Sequence, residues 1–223
     1  MPAITVVSRL PAPERPLIDI SVPVSAETPE WPGDTPFSCG WTVKRGDGEA
    51  INLSEFKCSP HVGTHADAPL HVEDGWAPSD ALPLAAFMGA AYVLDARNAS
   101  LTLSLEWMQE QFALEVPERL LLRTGRSIAS GKFPDEWPVI TQSAAAFLVK
   151  GGTRLVGTDA PSVDDRHSKT LPVHHELFVR GAFVLENLAL DHVAQGWYEL
   201  CAAPIRLVGM DAAPVRAVLR TLA

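Results

Sequence analysis

Residues 61–71 read HVGTHADAPLH and hold three of the seven histidines of the chain. His61, His65, Asp67 and His71 follow one another at separations of four, two and four residues. Side chains two residues apart share a face of an extended chain, so an extended segment would let all four converge on one point. Imidazole and carboxylate groups are ordinary ligands for zinc, manganese and similar ions. The stretch therefore predicts a metal site, and the alternative is a loop of structural histidines.

The backbone of this stretch is predicted to be irregular. Pro60, Gly63 and Pro69 all resist a helix, although a helix would also bring His61 and His65 together. We expect an irregular loop that leaves a strand, a position in which loops commonly carry functional residues. Two histidines and one carboxylate there would leave the fourth position of a catalytic zinc open to water.

The composition is that of one folded domain. The chain has 223 residues, of which 47% are hydrophobic and 20% are charged. Its formal charge of −9 disfavours nucleic acid and anionic membranes as partners, because both need a basic surface. A small anionic substrate stays compatible with this charge, since a bound metal dominates the local field.

Residues 1–16 are predicted to be a loose N-terminal extension and residues 17–223 the folded domain. The extension lacks the long apolar core of a signal peptide, and no apolar run approaches the length of a membrane span. The three cysteines, Cys39, Cys58 and Cys201, are odd in number and widely spaced, which favours a reducing compartment. We therefore expect a cytoplasmic protein.

Hydrophobic patterns predict more strands than helices, and hence a mixed α/β domain with a largely β core. Ser104 and Thr141 are each placed to cap a helix, and the second helix would run to Lys150 and end at Gly151–Gly152. The predicted strands are Leu17–Val24, Trp41–Val43, Ile51–Cys58, Ala91–Asp95, Arg119–Arg123, Arg154–Thr158, Ala182–Leu188 and Tyr198–Val208, with a hairpin turn at Gly46–Gly48.

The histidine stretch resembles the signature HxGTHxDxPxH of the metal-dependent cyclase/hydrolase family, and all seven fixed positions are present. The resemblance covers most of the chain, from about Ile18 to about Arg220. Its further segments are WPGDTPF (Trp31–Phe37), GTDAPSVD (Gly157–Asp164), SKTLPVHH (Ser168–His175), LENL (Leu185–Leu188) and PVRAVLR (Pro214–Arg220). It implies the swivelling β/β/α fold of that family and a homodimer.

Within the family, the chain looks like the bacterial formamidases. This similarity implies hydrolysis of a small-molecule substrate, N-formyl-L-kynurenine, to L-kynurenine and formate. It also implies two zinc ions per chain, although the same ligands accept manganese or cobalt. The implied ligands are His61, His65 and Asp67 for the first ion and His174 for the second, with Asp67 and Glu186 bridging both.

Glu186 interrupts an apolar run, and its residue context alone favours a solvent-facing strand position, because an unpaired buried carboxylate is costly. The family instead has a bridging Glu here, twelve residues after a ligand histidine, and this spacing assigns His174. His175 would then be structural or would support a ligand, since neighbouring residues point apart if the segment is extended.

Three further residues are candidates for a role at the site. Trp31, in a Pro/Gly turn, is by itself best interpreted as a core residue, whereas the resemblance places it against the aromatic ring of the substrate. His71 is the candidate general acid, because a leaving aniline must be protonated and a histidine outside the ligand set suits that role. Asp159, at a strand end, is either a partner for a ligand histidine or a turn cap.

Two other functions remain compatible with the sequence. One is a hydrolase of the same family that acts on a cyclic amide or lactone such as isatin, although WPGDTPF and the short chain favour the formamidase. The other is a non-catalytic metal-binding protein, which would need neither a spare histidine nor an aromatic turn. No G-x-S-x-G motif occurs, so a serine-nucleophile route is not supported.

Overall fold

The structure, a computed structural model, describes residues 15–222. Within them the chain forms thirteen strands and three α-helices. The strands are β1 (Leu17–Asp19), β2 (Ser38–Val43), β3 (Leu53–Lys57), β4 (His65–Asp67), β5 (Met88–Asp95), β6 (Thr102–Leu103), β7 (Arg119–Arg123), β8 (Val139–Ile140), β9 (Leu155–Thr158), β10 (Phe183–Glu186), β11 (Gly196–Cys201), β12 (Ala212–Pro214) and β13 (Val218–Thr221). The helices are α1 (Leu105–Gln111), α2 (Gln142–Lys150) and α3 (Pro172–Val179).

Nine of the strands form one mixed sheet in the order β1-β13-β11-β5-β7-β9-β10-β4-β12. The four strands β5, β7, β9 and β10 run parallel at its centre, and the remaining neighbours pair antiparallel. The antiparallel hairpin β2–β3 and the short parallel pair β6–β8 stand outside this sheet. The predicted fold class, α/β with a largely β core, is confirmed.

The parallel centre of the sheet is buried on both faces. Leu120 and Leu122 of β7 pack on the side of the helices, and Leu121 packs on the opposite side. Because parallel strands are covered on both faces, their sequences read as continuous apolar runs rather than as alternating ones. This is why the run at residues 119–123 could be recognised as a strand from sequence.

The sheet curls around one of its two hydrophobic clusters. Ala66 of β4 and Leu219 of β13 lie near opposite ends of the strand order, yet both belong to this cluster. The second cluster lies between the other face of the sheet and the helices, which contribute Met108, Leu148 and Leu177. The helical face of the sheet is therefore the face on which α3 and the end of β10 meet.

The two predicted helices are confirmed together with their caps. The Ser104 hydroxyl accepts a hydrogen bond from the backbone N–H of Trp107, and the Thr141 hydroxyl accepts one from Ala144. Each bond satisfies one of the N–H groups that the first turn of a helix leaves unpaired. The second helix ends at Lys150, as predicted.

The helix α3 was not predicted, and the expectation of an extended segment around His174 and His175 is wrong. Pro172 occupies the first helical turn, where its fixed φ is favourable and its missing N–H costs nothing. The apolar pair Val173 and Leu177, four residues apart, faces the core. Neighbouring residues differ by about 100° around a helix, so the two histidines still point in different directions.

The strand predictions hold except at the ends of two strands and at the histidines. The strand expected over Leu17–Val24 ends at Asp19, and beyond it Ser21 makes an isolated bridge to Leu188. The predicted hairpin forms as β2 and β3. The strand expected over Tyr198–Val208 ends at Cys201, because Pro204 has no N–H for a ladder and the chain there makes only one bridge, to Val215. The irregular loop expected over residues 61–71 contains a regular strand, β4, followed by a tight 3-10 turn.

The predicted N-terminal extension, residues 1–16, falls mostly outside the described residues, and its boundary with the domain stays a prediction. The first strand begins at Leu17. Among residues 15–222, no helix has the length and apolar character needed to cross a membrane.

We predict that Gly157→Ala destabilises the fold. A Cβ at this position of β9 would lie 2.5 Å from Cδ2 of Leu121 and 3.1 Å from Cδ1 of Leu188. Both leucines are fully buried, so we expect the overpacking to cost about 1–3 kcal/mol of unfolding free energy in denaturant titrations. Gly46→Ala is the control, because a Cβ there meets nothing within 4 Å. Equal stabilities of the two variants would contradict this account of the core.

Candidate metal centre

The strands β4 and β10 bring a histidine and two carboxylate side chains onto one face of the sheet. His65 and Asp67 share a face of β4, with Ala66 on the other. Glu186 lies directly opposite His65 in the antiparallel pairing, so it points to the same side. His65, Asp67 and Glu186 are 1%, 0% and 4% exposed. Glu186 is therefore buried at the end of its apolar run and does not face solvent.

The helix α3 adds His174 from above this face. Its Nε2 lies 3.3 Å from Oδ2 of Asp67 and 3.4 Å from Oε1 of Glu186. Asp164 accepts hydrogen bonds from the backbone N–H groups of Val173 and His174, at 3.0 Å each, and lies 2.7 Å from Nδ1 of His174. This carboxylate thus caps the helix and fixes the orientation of the imidazole with the same oxygens.

The other two imidazoles are held in the same way. His61 places Nδ1 3.0 Å from Oδ1 of Asp67, and its Nε2 lies 2.9 Å from Oδ2 of Asp211. His65 places Nε2 3.3 Å from Oδ1 of Asp67, and its Nδ1 lies 2.9 Å from the carbonyl oxygen of Gly63. Each of the three histidines therefore turns one ring nitrogen toward Asp67 and has the other held by an oxygen. Metal-ligating histidines commonly show this arrangement.

Two atoms at the centre of this group test whether a metal ion fits. Nε2 of His65 and Oδ1 of Asp67 are buried and have no hydrogen-bond partner among the described residues. Oδ1 of Asp67 lies 3.3 Å from Nε2 of His65 and 3.0 Å from Nδ1 of His61, but neither contact has the geometry of a hydrogen bond. Buried polar atoms left unpaired are costly, and a cation between them would satisfy both. His65, Asp67 and Glu186 also each offer a ligand atom within 4.8 Å of the others.

The charges around Asp67 favour a cation as well. Burial would raise the pKa of Asp67, but the surrounding imidazoles of His65, His174 and His61 hold it well below its usual value. Burial would lower the pKa of His61, but the carboxylates of Asp211 and Asp67 outweigh it and raise this pKa to about 10. In the same way, Asp164, Asp67 and Glu186 raise the pKa of His174 against its burial. The site thus stabilises positive charge in a buried place.

His71 lies beside this centre and shares a carboxylate with it. Its Nδ1 is 3.5 Å from Oδ2 of Asp211, and its ring centroid is 4.5 Å from that of His61. Contacts with His61 and His71 hold the pKa of Asp211 well below its usual range. Sequence reasoning missed Asp211, which lies 150 residues from His61 and carries no local motif. It arrives through the pairing of β12 with β4.

Asp164 was also missed. For the nearby Asp159, the structure decides between the two interpretations in favour of the turn cap. Asp159 accepts hydrogen bonds from the backbone N–H groups of Thr124 and Gly125 and from the Thr124 hydroxyl, so it supports a turn and contacts none of the ligand histidines. Burial raises its pKa to about 6 against these bonds. Asp164, which lies closer to α3 along the chain, was the better candidate for a partner of His174.

A cavity of about 390 Å³ opens beside the metal centre. His61, His65, His71 and Glu186 line it, and so does Trp31. The structure therefore brings the predicted site residues together. Asp67 and His174 lie behind the residues of the cavity wall, where Asp67 contacts His61 and His174 contacts Glu186.

Trp31 belongs to an aromatic group at this cavity. Its ring packs edge-on against Phe133 at 5.4 Å and against Trp137 at 6.0 Å between centroids. It is 37% exposed, whereas Trp137 is buried. Trp31 is thus part of a cavity wall that rests on the core. By contrast, His175 points away from the ligand group and packs edge-on against Trp76 at 5.5 Å.

Comparison with known proteins places this geometry in a family. The sequence model of the Cyclase family matches residues 18–165. The chain is 42% identical over 205 residues to a kynurenine formamidase of Bacillus cytotoxicus, covering 92% of this chain and 97% of the relative. It is 42% identical over 206 residues to a kynurenine formamidase of Bordetella avium, covering 92% and 98%.

Solved structures show the same fold. A potential metal-dependent hydrolase with cyclase activity superposes with a TM-score of 0.81 at 27% identity, covering 94% of this chain and all of the other. An isatin hydrolase bound to the product analogue thioisatinate superposes with a TM-score of 0.81 at 20% identity, covering 93% and 92%. From the family match, from relatives aligned over nearly their whole length and from the shared fold, this chain belongs to the Cyclase family of metal-dependent hydrolases.

Proposed function

We propose that this protein is a metal-dependent formamidase that hydrolyses N-formyl-L-kynurenine to L-kynurenine and formate. The observation that carries the proposal is the convergence of three histidines and two buried carboxylates beside an aromatic-walled cavity. The relatives at 42% identity, which are named kynurenine formamidase, support this substrate. The isatin hydrolase, at 20% identity, supports only the fold, so a cyclic amide substrate is the weaker alternative.

The proposed site holds two zinc ions, and manganese or cobalt would suit the same ligands. His61, His65 and Asp67 would hold the first ion, His174 the second, and Asp67 and Glu186 would bridge the two. When bound, the ions supply Lewis acidity, which lowers the pKa of water and polarises the formyl carbonyl. The protein contributes the orientation of the ligands, through Asp211, Asp164 and the Gly63 carbonyl described above.

His71 is proposed as the group that protonates the leaving aniline nitrogen. It lines the cavity, is partly exposed to it, and lies near Asp211, which would fix the tautomer with Nδ1 protonated. Its Nε2 would then accept the proton that the attacking water loses and pass it to the aniline nitrogen as the C–N bond breaks. A second role has some geometric support, because His61, Asp67 and His71 each offer a ligand atom within 4.8 Å of the others. The His71 variants below distinguish acid from ligand.

The protein is also proposed to be a homodimer. The hairpin β2–β3 stands outside the main sheet, and none of the residues of β3 is buried. Trp41, Leu53 and Phe56 are 57%, 47% and 71% exposed. Large exposed apolar side chains on a hairpin outside the main sheet are typical of an interface, and a second copy of the chain would cover them. The cytoplasmic location stays a prediction, supported by three free cysteines.

The direct test is hydrolysis of N-formyl-L-kynurenine by metal-replete protein. We expect release of L-kynurenine and formate, loss of activity after chelation, recovery on adding zinc, and two ions per chain by elemental analysis. Preference for isatin would favour the alternative substrate. At most one ion per fully active chain would contradict the dinuclear site.

His174→Ala should remove the second ion, because Nε2 of His174 faces both Asp67 and Glu186. His175→Ala is the matched control, since His175 packs against Trp76 instead. Elemental analysis should give about half the metal content for the first variant and full content for the second. The reverse pattern would mean that the ligand assignment is displaced by one residue.

His71→Asn should keep both ions and lower kcat by about 10²–10⁴-fold, the usual effect of removing a general acid. A formanilide with a more acidic leaving aniline should be hydrolysed with a smaller loss, because it needs less protonation. Metal content and kcat are measured on the same preparation. If metal is lost in parallel with activity, His71 is a ligand and not the acid.

Phe56→Glu should convert the dimer into a monomer that keeps its fold, because Phe56 is 71% exposed on the hairpin. Sedimentation velocity gives the oligomeric state and circular dichroism the fold. Leu114→Glu, at a fully exposed position away from the hairpin, is the control and should remain dimeric. A wild-type monomer, or a dimeric Phe56→Glu variant, would refute this interface.

A further inference from the structure

The cavity beside the metal centre has a buried end and an exposed end of different chemistry. His65 and Glu186 form the buried end, with exposed fractions of 1% and 4%. Asp34 and Lys169 also line the cavity, but Lys169 is exposed and Asp34 is only partly buried. They come from separate segments, Asp34 from the turn that carries Trp31 and Lys169 from the loop that precedes α3. One cavity thus combines a metal end with a charged entrance.

The charges of Lys169 and Asp34 are not neutralised by ion pairs within the part of the chain that the structure describes. Among residues 15–222, Lys169 forms no ion pair with a carboxylate, and no lysine or arginine pairs with Asp34. One oxygen of Asp34 accepts a hydrogen bond from the neighbouring backbone N–H of Thr35, and the other has no such contact. The two residues do not pair with each other either. Opposite charges that line one cavity without neutralising each other suit a ligand that carries both signs.

The substrate proposed above is such a ligand. At neutral pH its α-amino acid group is a zwitterion, with an ammonium and a carboxylate on one carbon. The keto side chain that carries this group is attached to the ring carbon next to the one that bears the formamide, and its carbonyl and methylene carbons separate the zwitterion from the ring. With the formamide at His65 and Glu186 and the ring beside Trp31, this side chain can extend toward the exposed lining residues. The cavity of about 390 Å³ is in the range of small-molecule sites.

We propose that Lys169 and Asp34 form the subsite for the α-amino acid group, in which Lys169 binds the carboxylate and Asp34 binds the ammonium. This inference rests on the proposed function and adds to it the reason for its specificity. A cyclic amide such as isatin has no zwitterion and cannot use either charge. The two residues therefore determine which members of the formanilide class are good substrates, while the buried end performs the hydrolysis.

The test is direct binding of product analogues, measured by calorimetry with metal-loaded protein. L-kynurenine has the whole zwitterion, kynurenamine lacks the carboxylate, and 2′-aminoacetophenone lacks both charged groups. Lys169→Met should weaken L-kynurenine binding about two- to fivefold relative to 2′-aminoacetophenone, the size expected for a solvent-accessible charge pair. It should also abolish the preference for L-kynurenine over kynurenamine. Asp34→Asn should weaken L-kynurenine and kynurenamine alike, relative to 2′-aminoacetophenone.

Lys150→Met and Asp74→Asn are the matched controls, because both residues are exposed and neither lines the cavity. The same preferences should appear in kcat/KM for the corresponding formamides. If the Lys169 and Asp34 variants leave the ratios between the three ligands unchanged, the subsite is wrong while the proposed function stands. If the wild-type protein hydrolyses none of the formamides, the proposed function fails and the subsite fails with it.

Discussion

The carboxylate of Asp67, fully buried and surrounded by three imidazoles, is the constraint on which the rest of the site depends. A carboxylate without partners in such a place would cost several kcal/mol. The fold therefore has to bring cationic or cation-binding groups to it from three directions. His61 comes from a turn, His65 from the same strand, and His174 from a helix more than a hundred residues later.

The sheet supplies this convergence through ordinary pairing rules. In the antiparallel ladder of β4 and β10, Glu186 must share a face with His65 because the two are directly opposite. The face they share is the one covered by the helices, so α3 can place His174 above it. On the other edge of β4, β12 brings the preceding Asp211 to His61. A strand of three residues thus has carboxylates brought to its histidines by both of its neighbours.

The oxygen atoms that hold the imidazoles were harder to predict than the imidazoles themselves. The sequence around Asp164 and Asp211 does not distinguish them from aspartates on the protein surface. Only their positions in the folded structure do. Asp159 shows the consequence, since it stands at a strand end in the expected segment but supports the turn at Thr124. Supporting residues are defined by what they contact, and contacts between distant segments leave no periodic signal in the sequence.

The sequence by itself determined the family, the class of fold and the group of metal-capable residues, because the spacing of His61, His65, Asp67 and His71 is local and its chemistry is specific. It also determined α1 and α2, whose caps Ser104 and Thr141 act within one turn. Only the tertiary structure decided that Glu186 is buried, that residues 172–179 are helical, and that Asp164 and Asp211 hold the imidazoles. The physical reason is range: capping and spacing act between near neighbours, whereas burial and ligand orientation depend on which strands become adjacent in the sheet.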